Sequence, residues 1–582
     1  MKKTLFLILV NFMLFTSHAQ TSSFANYGVF GSNSYDYCNA IVPNNAGSFF
    51  MAGTFSNTLD FNPSSVVANF TATNYTGFIS KYSVSTGVFQ GIRLFANTTA
   101  DSFNFIEDMV IDTQGNWLIT GKFKGTVDFD ASATVNSLTN VGGIGEFSYD
   151  AFICKYSSTG NFIWVKPIAG NGNQLASDIA VDSANNILCF GQYDNTSTDF
   201  DAGVAVFNLP NTGLFVTKYD TNGNFIWAKT FSNFSGLGYD LAIDANDNLY
   251  FTGGYHFQAD FDPGTAVFTL PTAGSVPDSF FFRDVFILKL NNNGEFLWVK
   301  RFGGTGPDFG NSLAFDNQNN VYCGGEFWNT CDFDTSIAEL NITSAGRADG
   351  FISKFDTNGN FLNVKTISGL KDDYVKNIVI DAGQNLIATG SFLESCNFGS
   401  TANPSIQTNV YLSDPALFLV AYDTQNNVSN FKRISHHVAD GNTLTGTHLA
   451  LDSDNNLLAA ANFTGSIPMY LAGNPNPTIF PGNGSFNDFL YVKDIFTTLS
   501  NSDFTTLKNT KIYPNPTNSI LNIDTVASAN LQISDLLGKV VFENKLENGT
   551  NALDIGFLKS GIYLAKIQNE KGIYNQKIIK EQ

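Results

Sequence analysis

The chain has 582 residues, of which 51 are acidic and 31 are basic, giving a formal net charge of -20 at pH 7. This balance argues against a nucleic-acid-binding protein, because such proteins neutralise phosphates with clustered Lys and Arg. With 56 Phe the chain can bury enough apolar surface to fold, so it is not expected to be disordered. Only 14% of the residues are charged, which suits an extracellular all-β protein.

The first predicted element is a cleaved secretory signal peptide at residues 1–19. Two lysines precede an apolar stretch from Leu5 to Phe15, and small residues lie at the expected cleavage point after Ala19. A membrane anchor is the alternative, but the apolar stretch is shorter than the roughly 20 residues that a bilayer requires. No later segment approaches that length, so no transmembrane segment is predicted.

Residues 20–494 contain seven copies of one sequence repeat. An aspartate closes the first element of most copies, at successive spacings of 69, 70, 62, 72, 65 and 71 residues. The positions are Pro43 in the first copy, then Asp112, Asp182, Asp244, Asp316, Asp381 and Asp452. Each copy has four short elements of alternating apolar and polar residues with Asn, Asp and Gly between them, which is typical of strands joined by turns. Seven four-stranded sheets predict an all-β fold, a seven-bladed β-propeller.

The seventh copy lacks its fourth element after Asp494, and a similar segment occurs at residues 24–31. We therefore expect the mature N-terminus to supply the last strand of the seventh blade, which would close the ring and protect its strand edges. The repeat resembles that of secreted bacterial β-propeller proteins, whose units read roughly D-x-x-G-N-x-Y-x-T-G-x-F, D-F-D and F-x-x-K-Y-D-x-x-G-x-x-x-W. The resemblance covers residues 24–494 and implies an architecture without a function, because propellers include both enzymes and binding proteins.

Six cysteines in an exported protein permit a disulfide framework. When the copies are superposed, Cys189 falls with Cys323, and Cys331 falls with Cys396 at a position that is Leu, Val or Ala elsewhere. This pattern favours cysteine as a small buried apolar side chain. A disulfide between Cys323 and Cys331 is the alternative.

Four copies carry an Asp-Phe-Asp motif. Its carboxylates are Asp128 and Asp130, Asp199 and Asp201, Asp260 and Asp262, and Asp332 and Asp334. On an extended segment both carboxylates face one side, where paired oxygens could bind calcium, a cation that takes six to eight oxygen ligands. The favoured interpretation is that the aspartates cap turns and the Phe packs in the core. Calcium is the one cofactor that the sequence raises.

A Thr-, Ser- and Asn-rich linker at residues 495–510 precedes a separate domain at residues 511–582. This tail holds 8 basic and 7 acidic residues, against 21 and 44 in residues 20–510, so its charge balance differs from that of the repeats. Short apolar segments separated by polar turns predict a small immunoglobulin-like β-sandwich.

The tail is similar to the type A C-terminal sorting domain of type IX secretion substrates of Bacteroidota. The matching motif residues are Tyr513, Pro514, Asn515, Pro516, Gly538, Gly561, Tyr563 and Lys577. The resemblance implies Sec export, recognition by the type IX secretion machinery, and release or attachment at the outer surface of the cell. An ordinary immunoglobulin-like accessory domain is the alternative.

The sequence does not name a ligand. It has no nucleophile, phosphate-binding or metal motif, and the four histidines of the mature chain form none. The favoured hypothesis is a non-enzymatic propeller that binds an extracellular protein or glycan through the variable segments after the Asp-Phe-Asp motifs. The alternative is a carbohydrate-active or quinone-dependent enzyme on the same ring, which would need convergent carboxylates or a cofactor pocket at the axis. Such a site would be a funnel lined by Asp, Glu and Trp.

Overall fold

The structure is a computed structural model. It describes residues 26–44, 46–64, 66–130, 132, 134–141, 148–231, 236–273, 283–409, 414–435, 444–464, 467–469, 478–480, 487–494, 511–525, 527–534, 540–569 and 572–581. The predicted signal peptide at 1–19 and the predicted linker at 495–510 lie outside these residues. The chain divides into two compact units, residues 1–496 and 497–582. Throughout the described ranges the regular elements are strands, and no helix there could span a membrane.

The described residues of the first unit form seven four-stranded antiparallel blades, called blades 1 to 7, of which blades 4 and 5 and the loop-end hairpin of blade 6 are joined into one sheet by short strand pairs. The strands of each blade are given from the innermost to the outermost. Blade 1 has Tyr37–Pro43, Ser48–Asp60, Asn69–Ser83 and Phe89–Leu94; blade 2 has Phe103–Ile111, Trp117–Lys124, Asp150–Tyr156 and Phe162–Ile168; blade 3 has Gln174–Val181, Ile187–Tyr193, Gly213–Tyr219 and Phe225–Thr230; and blade 4 has Gly236–Ile243, Leu249–Tyr255, Asp284–Leu290 and Phe296–Gly304. Blade 5 has Phe309–Phe315, Val321–Asp332, Asn341–Phe355 and Phe361–Gly369; blade 6 has Asp373–Ile380, Leu386–Phe392, Ala416–Tyr422 and Val428–Ser435; and blade 7 has Leu444–Leu451, Leu457–Thr464, Asn487–Asp494 and Asn26–Phe30.

The blades form a closed ring. Each innermost strand contacts the innermost strands of the two neighbouring blades, and the strand of blade 7 contacts that of blade 1. One apolar core fills each of the seven interfaces between blades, and large aromatic side chains dominate several of them. Sheets packed face to face around an axis need such side chains, which explains the high Phe content. The fold is therefore a seven-bladed β-propeller, as the repeats predict.

Blade 7 takes its outermost strand from the start of the chain, the position predicted from the sequence. Asn26–Phe30 pairs antiparallel with Asn487–Asp494, and Phe30 lies opposite Phe489. The two rings stack with centroids 5.0 Å apart. Main-chain pairing and this aromatic contact join the two ends of the repeat region.

The two ends of the ring differ in their connections. At the turn end, short turns such as residues 112–116 and 220–224 join the first strand of a blade to the second and the third strand to the fourth. At the loop end, longer segments join the second strand to the third, and further segments join successive blades. Short paired strands occur in the loop-end hairpins and connections: Ala96–Asn97, Thr126–Asp128, Ser137–Thr139, Gln258–Asp260, Thr269–Pro271, Ser395–Asn397, Ile406–Thr408, Ile467–Met469 and Thr478–Phe480.

Buried ion pairs fasten the blades at the turn end. A lysine of the third strand bonds to the aspartate that follows the first strand, as Lys218 Nζ does to Asp182 Oδ2 at 2.8 Å. The equivalent pairs are Lys155–Asp112, Lys289–Asp244, Lys354–Asp316 and Lys493–Asp452. Lys218 also donates to the carbonyl of Asn292, in a turn of the next blade, at 3.2 Å. The recurring Lys and Asp of the repeat are therefore partners that link one blade to the next.

All six cysteines are buried and free. The favoured interpretation of these residues as small apolar side chains agrees with this burial, and the alternative disulfide between Cys323 and Cys331 does not form. Burial raises the pKa of Cys189 to about 12, so its thiol stays protonated and unreactive.

The second unit is a sandwich of two antiparallel sheets around one apolar core. One sheet has three strands and the other has four, consistent with the predicted immunoglobulin-like sandwich. Their bounds are Lys511–Tyr513, Ile520–Thr525 and Gly549–Asp554, then Val540–Leu546, Ala529–Ser534, Gly561–Asn569 and Gly572–Lys580.

Candidate functional site

The Asp-Phe-Asp motifs lie where the loop-end hairpins begin. In blade 3, Asp199 Oδ1 accepts backbone N–H bonds from Asp201 at 3.0 Å and Phe207 at 2.8 Å, and Asp201 Oδ1 accepts one from Gly203 at 2.8 Å. Phe200, between the two aspartates, is fully buried, and Tyr219 donates its hydroxyl proton to the Phe200 carbonyl at 2.6 Å. The motif therefore caps two turns and anchors the hairpin to the core.

The same bonds recur in the other copies. Asp128 and Asp130, Asp260 and Asp262, and Asp332 and Asp334 make the equivalent backbone contacts. Within the described ranges, no three His, Cys, Asp or Glu side chains are grouped so that they could hold a metal ion. The bonds support the turn-capping interpretation, and calcium binding stays a prediction.

A cavity of about 1020 Å³ lies on the axis of the ring. Its walls come mainly from the seven innermost strands, and it extends to the loop end, where Asp372 and Pro415 of the connections line it. Its volume is at the upper end of the range of small-molecule sites. The axis is therefore the main candidate site, rather than the variable hairpins that the sequence favours.

A β-bulge in every innermost strand shapes the cavity wall, at the same place in blades 1 to 6 and one residue pair nearer the loop end in blade 7. The strand register shifts around Asn39, Glu107, Ser177, Tyr239, Asn311, Lys376 and Gly446. A glycine faces the bulge from the second strand in six blades; in blade 2 a Cβ on Gly121 would lie 2.0 Å from the Phe105 carbonyl oxygen. The Gly of the repeat is thus required by the bulge, which turns a variable side chain towards the axis.

Three carboxyl groups form a continuous chain on one wall, in blades 2, 3 and 4. Burial, together with the charge of Asp178, raises the pKa of Asp108 and of Asp240 well above the usual range. Burial also raises the pKa of Asp178, while hydrogen bonds from Asp108 and Asp240 act in the opposite direction. The outer two carboxyls are therefore protonated donors to a shared central acceptor.

The same three carboxyls tie adjacent blades together. Asp108 Oδ2 accepts the backbone N–H of Ile179 in the next blade at 3.1 Å, and Asp178 Oδ2 accepts that of Leu241 at 2.6 Å. Both contacts cross from one innermost strand to the next. These aspartates therefore bond one blade to the next and also line the cavity.

The opposite wall combines an ion pair with aromatic rings. Lys376 Nζ bonds to Glu326 Oε1 at 3.0 Å, and Asn311 also donates to Glu326. The Arg347 guanidinium lies 4.8 Å from the centroid of the Trp328 ring, and its Nη2 pairs with Asp372 Oδ2 at 3.0 Å. This wall offers polar groups and apolar ring surface side by side.

Two aromatic side chains line the cavity two residues before the bulges of blades 5 and 6. They are Phe309 and Tyr374. On the innermost strand of blade 7, His448 lines the cavity at the place where blades 2, 3 and 4 have Asp108, Asp178 and Asp240. Burial lowers the pKa of His448 to about 4, so this ring is uncharged at neutral pH.

The predicted sorting residues of the second unit lie together at one edge of the sandwich. Asn515 accepts the backbone N–H of Ile579 at 2.8 Å and donates to the carbonyl of Lys577 at 2.6 Å. Tyr513, Pro514 and Pro516 flank it, Gly561 lies opposite Lys580 in the last strand pair, and Tyr563 is buried. Gly538 lies outside the described residues. The two ends of the domain are thus bonded to each other, while a role of these residues in export stays a prediction.

The axial residues are those that sequence reasoning missed. Asp108, Asp178 and Asp240 are not among the candidate site residues predicted from the sequence. The signal was present, because three successive copies have Asp at one position of the first strand and Gly at one position of the second strand. Trp328 and Glu326 had no comparable signal, since no other copy has either residue at the equivalent place.

Two family models match the chain. Residues 511–581 match the secretion system C-terminal sorting domain, and residues 297–326 match a β-propeller repeat. A curated relative is an uncharacterized WD repeat-containing protein, L264, of Acanthamoeba polyphaga mimivirus, 23% identical over 404 residues. The alignment covers 60% of this chain but only 28% of the viral protein.

Solved structures with a similar course of the chain include enzymes. A polysaccharide lyase, an ulvan lyase, is 12% identical with a TM-score of 0.38, covering 82% of this chain and 98% of the lyase. The NanB sialidase of Streptococcus pneumoniae is 8% identical with a TM-score of 0.33, covering 82% of this chain and 71% of the sialidase. Both scores are too low to transfer a function.

Proposed function

Because this chain is a β-propeller repeat protein with a type IX secretion C-terminal sorting domain, we propose that it is exported and then binds a neutral carbohydrate in its axial cavity. The sorting domain indicates a secreted or cell-surface protein that the type IX machinery handles. The proposal adds Sec export, with cleavage after Ala19. The observation that carries carbohydrate binding is the cavity wall, which pairs hydrogen-bonding carboxyls with aromatic rings.

The carboxyl chain suits a ligand covered with hydroxyl groups. Since Asp108 and Asp240 donate their protons to Asp178, the carboxyl oxygens that remain are acceptors for the hydroxyl protons of such a ligand. Across the cavity, Trp328 and Tyr374 provide ring surface against which the apolar face of a sugar can pack. The two walls together supply both kinds of contact that a sugar needs.

The charge of the cavity favours a neutral ligand over an anionic one. Six carboxyl residues line it, against a single lysine, Lys376, which is already paired with Glu326. An acidic polysaccharide would find, among the described lining residues, no cation that is free to pair with it. The cavity therefore matches an uncharged sugar better than a uronic acid or a sulfated sugar.

A carbohydrate-active enzyme is the second candidate. Its supporting observation is that Asp, Glu and Trp do converge at the axis, as such an enzyme would require. However, the carboxylates are engaged: Glu107 pairs with Lys122, Glu326 with Lys376, and Asp372 with Arg347. Binding is better supported because a general acid or base must be available to the substrate. No observation favours a quinone-dependent enzyme.

The test is a glycan array probed with the full chain, followed by calorimetry on the neutral oligosaccharides that bind. Trp328→Ala should weaken binding about tenfold, the effect of losing roughly 1.4 kcal/mol of ring contact. Phe557→Ala is the matched control, since it removes an aromatic side chain that is 65% exposed in the second unit. Binding confined to acidic glycans, no glycan binding at all, or an unaffected Trp328→Ala variant would contradict the proposal. Chromatography of each glycan after incubation would reveal cleavage, the outcome expected of the enzyme.

A further inference from the structure

We propose that aromatic side chains of blades 1 and 2 form a second sugar-binding subsite beside the mouth of the cavity. This inference rests on the proposed function and extends it, because a ligand that occupies both places must be a chain of sugars. The subsite, called the platform, consists of Tyr35, Tyr37, Tyr75, Phe103, Phe105 and Tyr149. All six lie at the loop end.

Each ring of the platform contacts another of its rings. The Phe105 centroid lies 5.1 Å from that of Tyr75 and 5.7 Å from that of Phe103, and Phe103 lies 5.2 Å from Tyr149. Tyr35 is 38% exposed and its ring is nearly parallel to that of Tyr37, while the other five rings are half-buried. The result is two groups of contacting rings at the loop end, Tyr35 with Tyr37 on blade 1 and Tyr75, Phe103, Phe105 and Tyr149 across blades 1 and 2.

Buried polar contacts hold these rings in place. Asn104 lies between Phe103 and Phe105 and points the opposite way, where its side chain is fully buried. It accepts the backbone N–H of Gly77 at 2.7 Å and donates to Asn97 Oδ1 at 2.9 Å. Asn97 in turn donates to the carbonyl of Tyr75 at 2.9 Å. The strands that carry the platform are thus bonded to each other beneath it. Because the rings are already held in place, binding a ligand costs little side-chain conformational entropy.

The platform is continuous with the axial cavity. Glu107 lines the cavity and is two residues from Phe105 on the same strand. Its carboxylate pairs with Lys122 Nζ at 3.2 Å, and that ammonium lies 5.1 Å from the Phe105 centroid and 5.8 Å from that of Tyr149. A ligand leaving the cavity on the side of blade 2 therefore meets the platform next.

The chemistry of the platform matches a sugar chain. Aromatic rings provide apolar surface for a pyranose ring, and the Lys122 and Lys124 ammonium groups beside them provide donors for its hydroxyls. Rings with adjacent polar groups suit ligands that are apolar on one face and hydroxylated at the edge. Together with the direct continuity with the cavity, this commits the platform to the outer sugars of the same neutral chain.

The experiment measures how affinity depends on chain length. Calorimetry of the full chain would use neutral hexose oligomers of two and of eight sugars, from the series that binds most tightly on the array. The octasaccharide should bind at least tenfold more tightly than the disaccharide, and Tyr75→Ala and Tyr149→Ala should each remove most of that difference without changing disaccharide binding. Phe268→Ala is the matched control, because Phe268 is a partly exposed loop-end aromatic of blade 4.

The outcomes separate this inference from the function on which it rests. Equal affinity for both oligomers, with both lost in Trp328→Ala, would overturn the platform and leave the cavity proposal standing. Equal weakening of both oligomers by Tyr75→Ala and Tyr149→Ala, with unchanged melting profiles, would also overturn it. No binding of any glycan by the unmodified chain would overturn both.

Discussion

The two ends of the propeller use aspartate in opposite ways. At the turn end, Asp182 lies beside a lysine and an asparagine; although burial acts to raise its pKa, bonds from Lys218 and Asn186 hold it below the usual value. At the loop end, buried aspartates accept backbone N–H bonds without a lysine partner, and burial raises the pKa of Asp36 to about 7 and of Asp373 to about 8. The same residue is thus a stabilising charge at one end and a costly one at the other.

The difference follows from what each end must do. At the turn end the same set of contacts recurs, in which Asp, Lys and the turn residues bond within the blade and to the next blade. The loop end departs from the repeat, and its carboxyls hold connections of different lengths around a cavity. Stability is concentrated where the sequence repeats, and the candidate binding surfaces lie where it varies.

Two blades lack the ion pair and provide internal controls. Blade 1 has Asn44 in place of the aspartate, one residue after the predicted Pro43, because Asn44 bonds to Ser48 as Asp112 does to Asn116; it keeps Lys81. Blade 6 has Ala421 in place of the lysine, although it keeps Asp381. Lys81 is half-buried and lies 5.7 Å from the Phe50 centroid. The contribution of the pair can therefore be separated from that of a lysine alone.

The largest effect is expected from breaking one turn-end pair. Lys218→Met should lower the free energy of unfolding by about 3 to 5 kcal/mol, because it leaves the Asp182 carboxylate buried without its cation. It also removes the bond to the Asn292 carbonyl in blade 4. Tryptophan fluorescence during urea unfolding measures this, since all five tryptophans lie in the propeller.

Lys81→Met is the matched control for that variant. It removes the lysine at the same position of blade 1, where no motif aspartate is present, so the expected cost is below about 1 kcal/mol. Similar losses in the two variants would mean that the lysine stem, rather than the ion pair, stabilises the turn end.

The second expected effect is a fall in stability as the pH rises. Folding raises the pKa of Asp36 and Asp373 above 3.8, so the folded state binds protons that the unfolded state has released, and stability is lost between about pH 4 and pH 8. Between pH 5 and pH 6 the free energy of unfolding should fall by about 3 kcal/mol, because each of the two groups contributes about 1.4 kcal/mol per pH unit in that window. The lowered pKa of Asp182 acts only below pH 4 and does not oppose this trend.

Removing a loop-end carboxyl tests whether these aspartates cause the pH dependence of stability. Asp36→Asn keeps an oxygen acceptor for the backbone N–H of Ser32 and should make the melting temperature less dependent on pH. Asp194→Asn, at an exposed position of the same end, should leave the dependence unchanged. A steeper slope in Asp36→Asn than in the unmodified chain would show that the sign assigned to these groups is wrong.

The fold could be predicted from the sequence because its signals are local and repeated. The Asp of each turn, the Phe of Asp-Phe-Asp and the strand alternation act within one blade, and seven copies reinforce them. The cavity could not be predicted, because it depends on a bulge that shifts the register of the innermost strand and so reverses which side chains face the axis. Asp178 reads as an ordinary strand residue until that shift is known.

The smallest expected effects compare two exposed segments. At the turn end, Asn185 has a φ of 60° and its side chain bonds to Thr113 of the neighbouring blade at 3.0 and 2.8 Å. Asn185→Ala should lower the free energy of unfolding by about 1 to 2 kcal/mol, because it removes these bonds and places alanine in a left-handed conformation. At the loop end, Val204→Ser should change it by less than about 0.5 kcal/mol, since Val204 is fully exposed at a hairpin tip. Urea unfolding measures both changes. Equal losses of free energy in the two variants would mean that the loop-end hairpins contribute as much to stability as the turns do. That result would contradict the view that stability is concentrated at the turn end.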